Sequence, residues 1–140
     1  MRTPIAALLA SALLMLGSIT AAAQDDRCTG GQTPGGVIIV QFDRGQSLLT
    51  PHAQKALSGI ARKAIAQKAN LLCLEAFADA WLGKERDLEL ARARAETVTN
   101  ELVANGYPRE KIVIRRITDP KRLLGKETST ERKVEIRYGR

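Results

Sequence analysis

The sequence predicts a two-layer α/β (α+β) sandwich in which two helices cover one face of a mixed four-stranded sheet. Two observations lead to this fold class. Four short segments have the continuous or alternating apolar residues that are typical of strands, and two longer segments repeat apolar residues at helical spacing. These segments follow one another as strand, helix, strand, helix, strand and strand, so we expect a βαβαββ order.

The strands are expected at residues 37–42, 71–78, 111–118 and 132–138. The first two segments are apolar except for Gln41 and Glu75, which is typical of buried strands. In the last segment apolar and charged residues alternate, and Val134, Ile136 and Tyr138 share one face. That face should therefore point into the core.

Both helices have recognisable signals at their ends. Thr50 is expected to cap the first helix, with Pro51 at the first helical position. The second helix is expected over residues 84–105. Gly106 can adopt the left-handed conformation beyond its end, and Pro108 prevents the helix from continuing.

The N-terminus has the pattern of a secretory signal peptide. Arg2 supplies a positive start, residues 5–16 are apolar, and Ala21 to Ala23 supply the small residues of a cleavage site. The apolar stretch is too short for a membrane span, although a retained N-terminal anchor is the alternative. No later apolar run could cross a bilayer. We expect a periplasmic protein divided into a signal peptide, a flexible arm and one main domain, at residues 1–23, 24–36 and 37–140.

The chain has two cysteines, Cys28 and Cys73. An even number of cysteines in an exported protein suggests a disulfide bond. This bond would attach the N-terminal arm to the second strand. The alternative is a buried thiol at Cys73 and an incidental Cys28.

Composition and motifs exclude several classes of function. The formal net charge of +7 would suit nucleic acid, anionic lipid or an acidic polymer. Export argues against nucleic acid, and so does an aromatic content of 4%, which is too low for a base-stacking surface. The sequence contains no activated nucleophile, metal-binding cluster or phosphate-binding loop, and the single histidine, His52, is expected at the surface. We therefore expect a protein that is not an enzyme and needs no cofactor or metal.

The strongest candidate for a binding site joins the second strand to the second helix. Asp79 follows the second strand, at the end of the sheet where such folds gather ligands. The apolar stripe of the second helix is flanked on opposite edges by Arg92 and Arg94. Only one of these arginines can face the strand end, and the spacing does not say which. The alternative is that all three are ordinary surface charges.

Motifs around this candidate site carry a family resemblance. Residues 76–79, AFAD, correspond to a Gly-His/Tyr-Thr-Asp motif, and residues 90–98, LARARAETV, correspond to Leu-Ser-x-x-Arg-Ala-x-x-Val without a gap. The helix exit at residues 105–108, NGYP, and the closing segment at residues 131–136, ERKVEI, also fit. On these motifs, residues 37–139 resemble the OmpA-like domain, the peptidoglycan-binding C-terminal module of bacterial outer-membrane protein A and its relatives.

The resemblance implies a ligand and four residues that bind it. In this family an aspartate and an arginine hold the charged end of diaminopimelate in the peptide stem of peptidoglycan. By resemblance, Asp79 contacts the ammonium group and Arg94 the carboxylate. Asp87 stands where an asparagine is usual, and Arg132 matches a further arginine near the pocket.

The sequence also departs from the family pattern near this site. Ala78 replaces the motif threonine, and Leu82 replaces the glycine of the following turn. The resemblance therefore implies one of two functions. The first is a peptidoglycan-binding module of the cell wall or outer membrane. The alternative is an adaptor that has lost this ligand and binds a protein of an envelope assembly.

Overall fold

The computed structural model describes residues 26–28, 36–77, 83–118 and 132–139. The predicted signal peptide, Asp79 and the loop predicted at residues 119–130 lie outside the described residues, and the proposed division of the chain stays a prediction.

The described chain forms four strands and two long helices in the predicted order. These elements are β1 (Ile38–Gln41), α1 (Pro51–Ala66), β2 (Leu71–Phe77), α2 (Lys84–Ala104), β3 (Ile112–Thr118) and β4 (Lys133–Gly139). The bounds predicted for the strands differ from these by one residue at most. Neither helix in the described ranges is long and apolar enough to cross a membrane.

The sheet is mixed, as predicted, with the strand order β1-β4-β2-β3. β4 runs antiparallel to both of its neighbours, β1 and β2. β2 and β3 are parallel, because α2 carries the chain back across the sheet between them. A register shift after Leu74 places Arg116 opposite Glu75 and leaves Arg115 as an extra residue in β3.

The helix ends follow the signals in the sequence. The Thr50 side chain accepts a hydrogen bond from the Ala53 backbone N–H at 3.2 Å. Gly106 has a φ of +90°, and the Tyr107 N–H donates to the Leu102 carbonyl at 3.1 Å, which closes the end of α2.

Both helices pack on one face of the sheet. Leu57 and Ala64 of α1 and Val98 and Leu102 of α2 are completely buried there. The core includes strand side chains from β2 and β4, and these are Leu72, Leu74, Ala76, Val134 and Ile136. In α1, Ala56 and Ile65 recur at helical spacing with the buried residues but are exposed, whereas Ala61 is buried. The small side chain of Ala61 lies between Leu57 and Ala64 on the face that meets the core.

The opposite face of the sheet is covered at one end by the N-terminal arm. A disulfide bond joins Cys28 to Cys73 with 5.8 Å between their Cα atoms, which confirms the predicted pairing. These cysteines form a second apolar cluster with Leu71 and Val113. A Cβ at Gly139 would lie 2.9 Å from the Arg27 carbonyl, so the close approach of the arm to β4 requires this glycine.

A buried carboxylate lies on the same face, between the arm and the far end of the sheet. Glu135 is 9% exposed and is directly opposite Glu75 in the register of β2 and β4. Two like charges in this position would repel each other. Lys133 and Arg137 donate to Glu135 at 2.7 and 2.9 Å, and Arg116 lies 3.8 Å from Glu75, so each carboxylate has cationic neighbours.

Reduction of the disulfide should lower the free energy of unfolding by about 2–4 kcal/mol, because the bond closes a long loop in the unfolded chain. The measurement is urea denaturation followed by circular dichroism, with and without reductant. A double Cys28→Ser, Cys73→Ser variant is the control and should be unaffected by reductant. Equal stability of the reduced and oxidised protein would contradict a structural role for the arm.

Glu135 should make the stability of the domain fall at acidic pH. Burial alone would raise the pKa of Glu135, but hydrogen bonds and charge from Lys133 and Arg137 hold that pKa below its ordinary value of 4.5. The resulting stabilisation is present above the pKa of the unfolded chain and is lost as the pH falls through the folded pKa. Glu135→Gln should cost about 1–3 kcal/mol at pH 7 and much less at pH 3, measured by urea denaturation at both pH values. An equal cost at the two pH values would show that the charge has no part in it.

Candidate functional site

The candidate site lies where the ends of β1 and β2 meet the first half of α2. Arg94 is on the buried side of α2, one helical turn beyond Ala91 and beside Ala95. Its side chain is completely buried, with 0% of its surface exposed. A long cationic side chain is seldom buried to this extent unless its charge and its N–H groups are satisfied.

The guanidinium of Arg94 donates hydrogen bonds to three backbone carbonyls. Its Nε donates to Gln46 at 2.9 Å and its Nη2 to Asp43 at 3.2 Å, both in the loop between β1 and α1. Its Nη1 donates to Phe77, the last residue of β2, at 3.5 Å. The guanidinium also lies over the Phe42 ring, 5.3 Å from the centroid, in a cation–π contact.

These contacts decide whether Arg92 or Arg94 faces the strand end. Arg94 does so, and Arg92 is exposed to solvent. The sequence did not predict that the Arg94 side chain is completely buried. The loop after β1 folds over the helix and encloses it.

Asp87 shares the buried face of α2 with Arg94. It is 0% exposed, although it lies in the first turn of the helix. Its backbone N–H donates to the Gly83 carbonyl at 2.9 Å. A carboxylate in this position is favoured by the positive end of the helix dipole. The burial of its side chain was not predicted.

Arg132 lies at the same end of the sheet. Its carbonyl accepts a hydrogen bond from the Phe42 N–H at 2.9 Å, which extends the pairing of β1 and β4 by one step. Phe42 also contacts Arg94, so both arginines adjoin the same aromatic residue. Asp79 lies outside the described residues, two positions after Phe77, so its pairing with Arg94 stays a prediction.

Sequence reasoning did not identify the groups that hold Arg94 in place. They are backbone carbonyls of Asp43, Gln46 and Phe77, and side-chain patterns carry no information about carbonyls. Phe42 was predicted only as the last residue of a strand. The one feature of the sequence that could have identified Phe42 as a site residue is its position, since it is an aromatic residue at the end of an apolar run.

The contacts of Arg94 fix the orientation of its guanidinium. This group has five N–H donors in one plane, and the carbonyls of Gln46, Asp43 and Phe77 accept from three of its nitrogens. A guanidinium held in a fixed orientation is suited to pairing with an anion such as a carboxylate. Among the described residues, no group of three His, Cys, Asp or Glu side chains is placed to hold a metal ion.

Arg94→Ala should destabilise the domain by about 3–5 kcal/mol, because it removes three hydrogen bonds to backbone carbonyls and leaves a cavity in place of a large, completely buried side chain. The free energy of unfolding measured in urea checks this. The matched control is Arg92→Ala, two residues away on the exposed side of the same helix, which should change stability by less than about 0.5 kcal/mol. Similar losses in the two variants would contradict the role assigned to Arg94.

Solved structures with the same fold include the following three. The OmpA-like domain of FopA1 from Francisella tularensis has a TM-score of 0.63 and 16% identity, and the match covers 71% of this chain and 69% of that one. The peptidoglycan-associated lipoprotein from Burkholderia pseudomallei has a TM-score of 0.63 and 19% identity, with 71% and 88% covered. The C-terminal domain of MotB from Helicobacter pylori has a TM-score of 0.61 and 19% identity, with 75% and 86% covered.

At these identities the structural matches establish the fold alone. No curated protein sequence matches this chain. The OmpA family model matches residues 41–136, which is more than half of the sequence and contains α1, α2 and the Arg94 contacts described above. The protein therefore belongs to the OmpA family and carries an OmpA-like domain.

Proposed function

We propose that this protein is a non-catalytic, periplasmic module that binds peptidoglycan through the diaminopimelate of the peptide stem. The observation that carries the proposal is the placement of Arg94. Its guanidinium is fixed at the end of β2, beside Phe77, and two residues further along the chain is the aspartate of the family motif, Asp79.

The chemistry of diaminopimelate fits such a pair. The free end of this amino acid carries an ammonium group and a carboxylate on one carbon. A carboxylate can accept two parallel hydrogen bonds from a guanidinium, and an aspartate can accept from the ammonium group. Arg94 is already held by Gln46 and Asp43, so little side-chain entropy would be lost when a ligand binds.

Asp87 and Arg132 contribute to this proposal as neighbours of the pair. Arg132 adds positive charge at the end of the sheet where the ligand carboxylate would lie. Asp87 adds a negative charge on the same helix face as Arg94, so Asp87→Asn should leave binding unchanged or strengthen it. Export through the segment at residues 1–23 would bring the protein to the cell wall, with a flexible arm at residues 24–36 before the domain.

One observation favours the second candidate, an adaptor that binds an envelope protein instead of peptidoglycan. Arg94 and Asp87 are both 0% exposed, so neither side chain meets solvent before a ligand arrives. In that case the same residues would serve only to hold the loop after β1 against α2.

Sedimentation with purified cell-wall sacculi tests the proposal. The mature protein should pellet with sacculi that contain diaminopimelate. It should pellet much less with sacculi whose stem peptide carries lysine at that position, because lysine lacks the second carboxylate. Asp79→Asn should abolish retention, since loss of one partner of a charge-assisted contact costs about 2–5 kcal/mol.

Two arginine variants complete this experiment. Arg94→Lys keeps the charge but not the planar fork, so it should recover only part of the binding, and its fold is checked by circular dichroism. Arg92→Ala should bind as the parent does. If the folded parent protein pellets with neither kind of sacculi, peptidoglycan binding is rejected in favour of the adaptor. Equal retention on both kinds would leave peptidoglycan as the ligand and reject diaminopimelate as its recognised part.

A further inference from the structure

β1 forms an edge of the sheet in the described structure, where β4 is its one neighbouring strand. The Phe42 N–H donates to the Arg132 carbonyl, and these two residues lie opposite each other in the register of β1 and β4. This contact shows which residues of β1 are hydrogen-bonded to β4. In an antiparallel pair, every second residue directs its N–H and C=O away from its partner. Ile39 and Gln41 are these residues, so their backbone donors and acceptors point outward from the sheet.

The outward edge of β1 lacks most of the features that protect edge strands. β1 contains no charged residue and no proline, and its pairing with β4 has no bulge. Ile39 is 51% exposed, which is high for a large apolar side chain in a sheet. The edge is therefore a template for one more strand.

A groove of about 210 Å³ runs between β1 and α1 beside this edge. Its walls include Ile38 and Val40 from β1 and Ala56 and Ile60 from α1. A strand added to β1 would direct every second side chain toward the helix layer and so into this groove. An added strand would thus gain apolar contacts as well as backbone hydrogen bonds.

The charge of α1 indicates what kind of strand fits. The helix contains Lys55, Arg62 and Lys63 and no acidic residue. Lys63 follows Ile60 by one turn, on the stripe that lines the groove, and is exposed. A second copy of this chain paired through β1 would bring two basic helices side by side, which like-charge repulsion disfavours.

We propose that the outward edge of β1 binds an extended peptide segment of another protein. This segment has apolar side chains at alternate positions that enter the groove, and a carboxylate at one end that meets Lys63. The inference is independent of the proposed function, because it uses no contact of Arg94 or Asp79.

Two short peptides test the proposal by nuclear magnetic resonance of the mature, isotope-labelled protein. They are acetyl-Thr-Val-Thr-Val-Thr-Glu-amide and the peptide of reversed order, since the direction of the added strand decides which one binds. One of them should shift the amide signals of Ile39 and Gln41 and slow their hydrogen exchange. A control peptide is N-methylated at the alternate residues whose N–H groups would face β1. It cannot donate hydrogen bonds to the edge and should have no effect.

Variants of the protein complete the test. Ile39→Pro removes an outward N–H without interrupting the bonds to β4 and should abolish the shifts. Lys63→Glu should weaken binding by about three- to tenfold, whereas Lys55→Glu, with the same charge change off the groove stripe, should not. The proposal is overturned if neither peptide protects these amides, or if the two charge variants behave alike. It is also overturned if the same amides are protected without peptide in a concentration-dependent dimer.

Discussion

The burial of the Arg94 guanidinium constrains the end of the domain where the candidate site lies. Arg94 connects segments that are far apart in sequence, since its acceptors Gln46, Asp43 and Phe77 are 48, 51 and 17 residues away. Removing a cation from water is costly, and hydrogen bonds to carbonyls must offset that cost. The loop after β1 cannot move away from α2 without exposing these bonds to competition from water or leaving them unmade. The positions of β1, α2 and the end of β2 are therefore coupled through a single side chain.

This coupling makes stability and binding difficult to separate at Arg94. A group that is already oriented by the fold binds a ligand with a smaller loss of entropy, so the same contacts that stabilise the domain would also prepare it for an anion. Any substitution at this position changes both properties. The residues that can separate them are the ones with no part in holding the loop, and the exposed Arg92 is the clearest example on the same helix. A change in the ligand, such as removal of one carboxylate, leaves the protein untouched and is more informative still.

The sequence was sufficient to predict the elements of the fold, because each has a strong local signal. The Thr50 cap, the Gly106 exit and the alternation from Val134 to Tyr138 all depend on neighbouring residues. The depth of a side chain is a different kind of property. Helical spacing gives the direction in which Arg94 and Asp87 point, but whether a distant loop covers them is decided by tertiary packing. The same limit applies to Glu135, which lies on the face away from the helices and is nevertheless buried by its cationic neighbours.

The sheet is protected by different means at each of its boundaries, and this explains where it remains accessible. The two helices cover one face, while the disulfide-bonded arm and the ion pairs of Glu135 occupy the other. At the β3 edge, Arg115 and Arg116 place charge on the strand, which opposes pairing with another chain. β1 is short, and in the part of the chain that the structure describes this is its one protective feature. Its outward backbone groups, its exposed Ile39 and the adjoining groove coincide at one place, while the site around Arg94 occupies the end of the sheet. A partner strand on β1 and a ligand at that end would therefore use different surfaces of the same small domain.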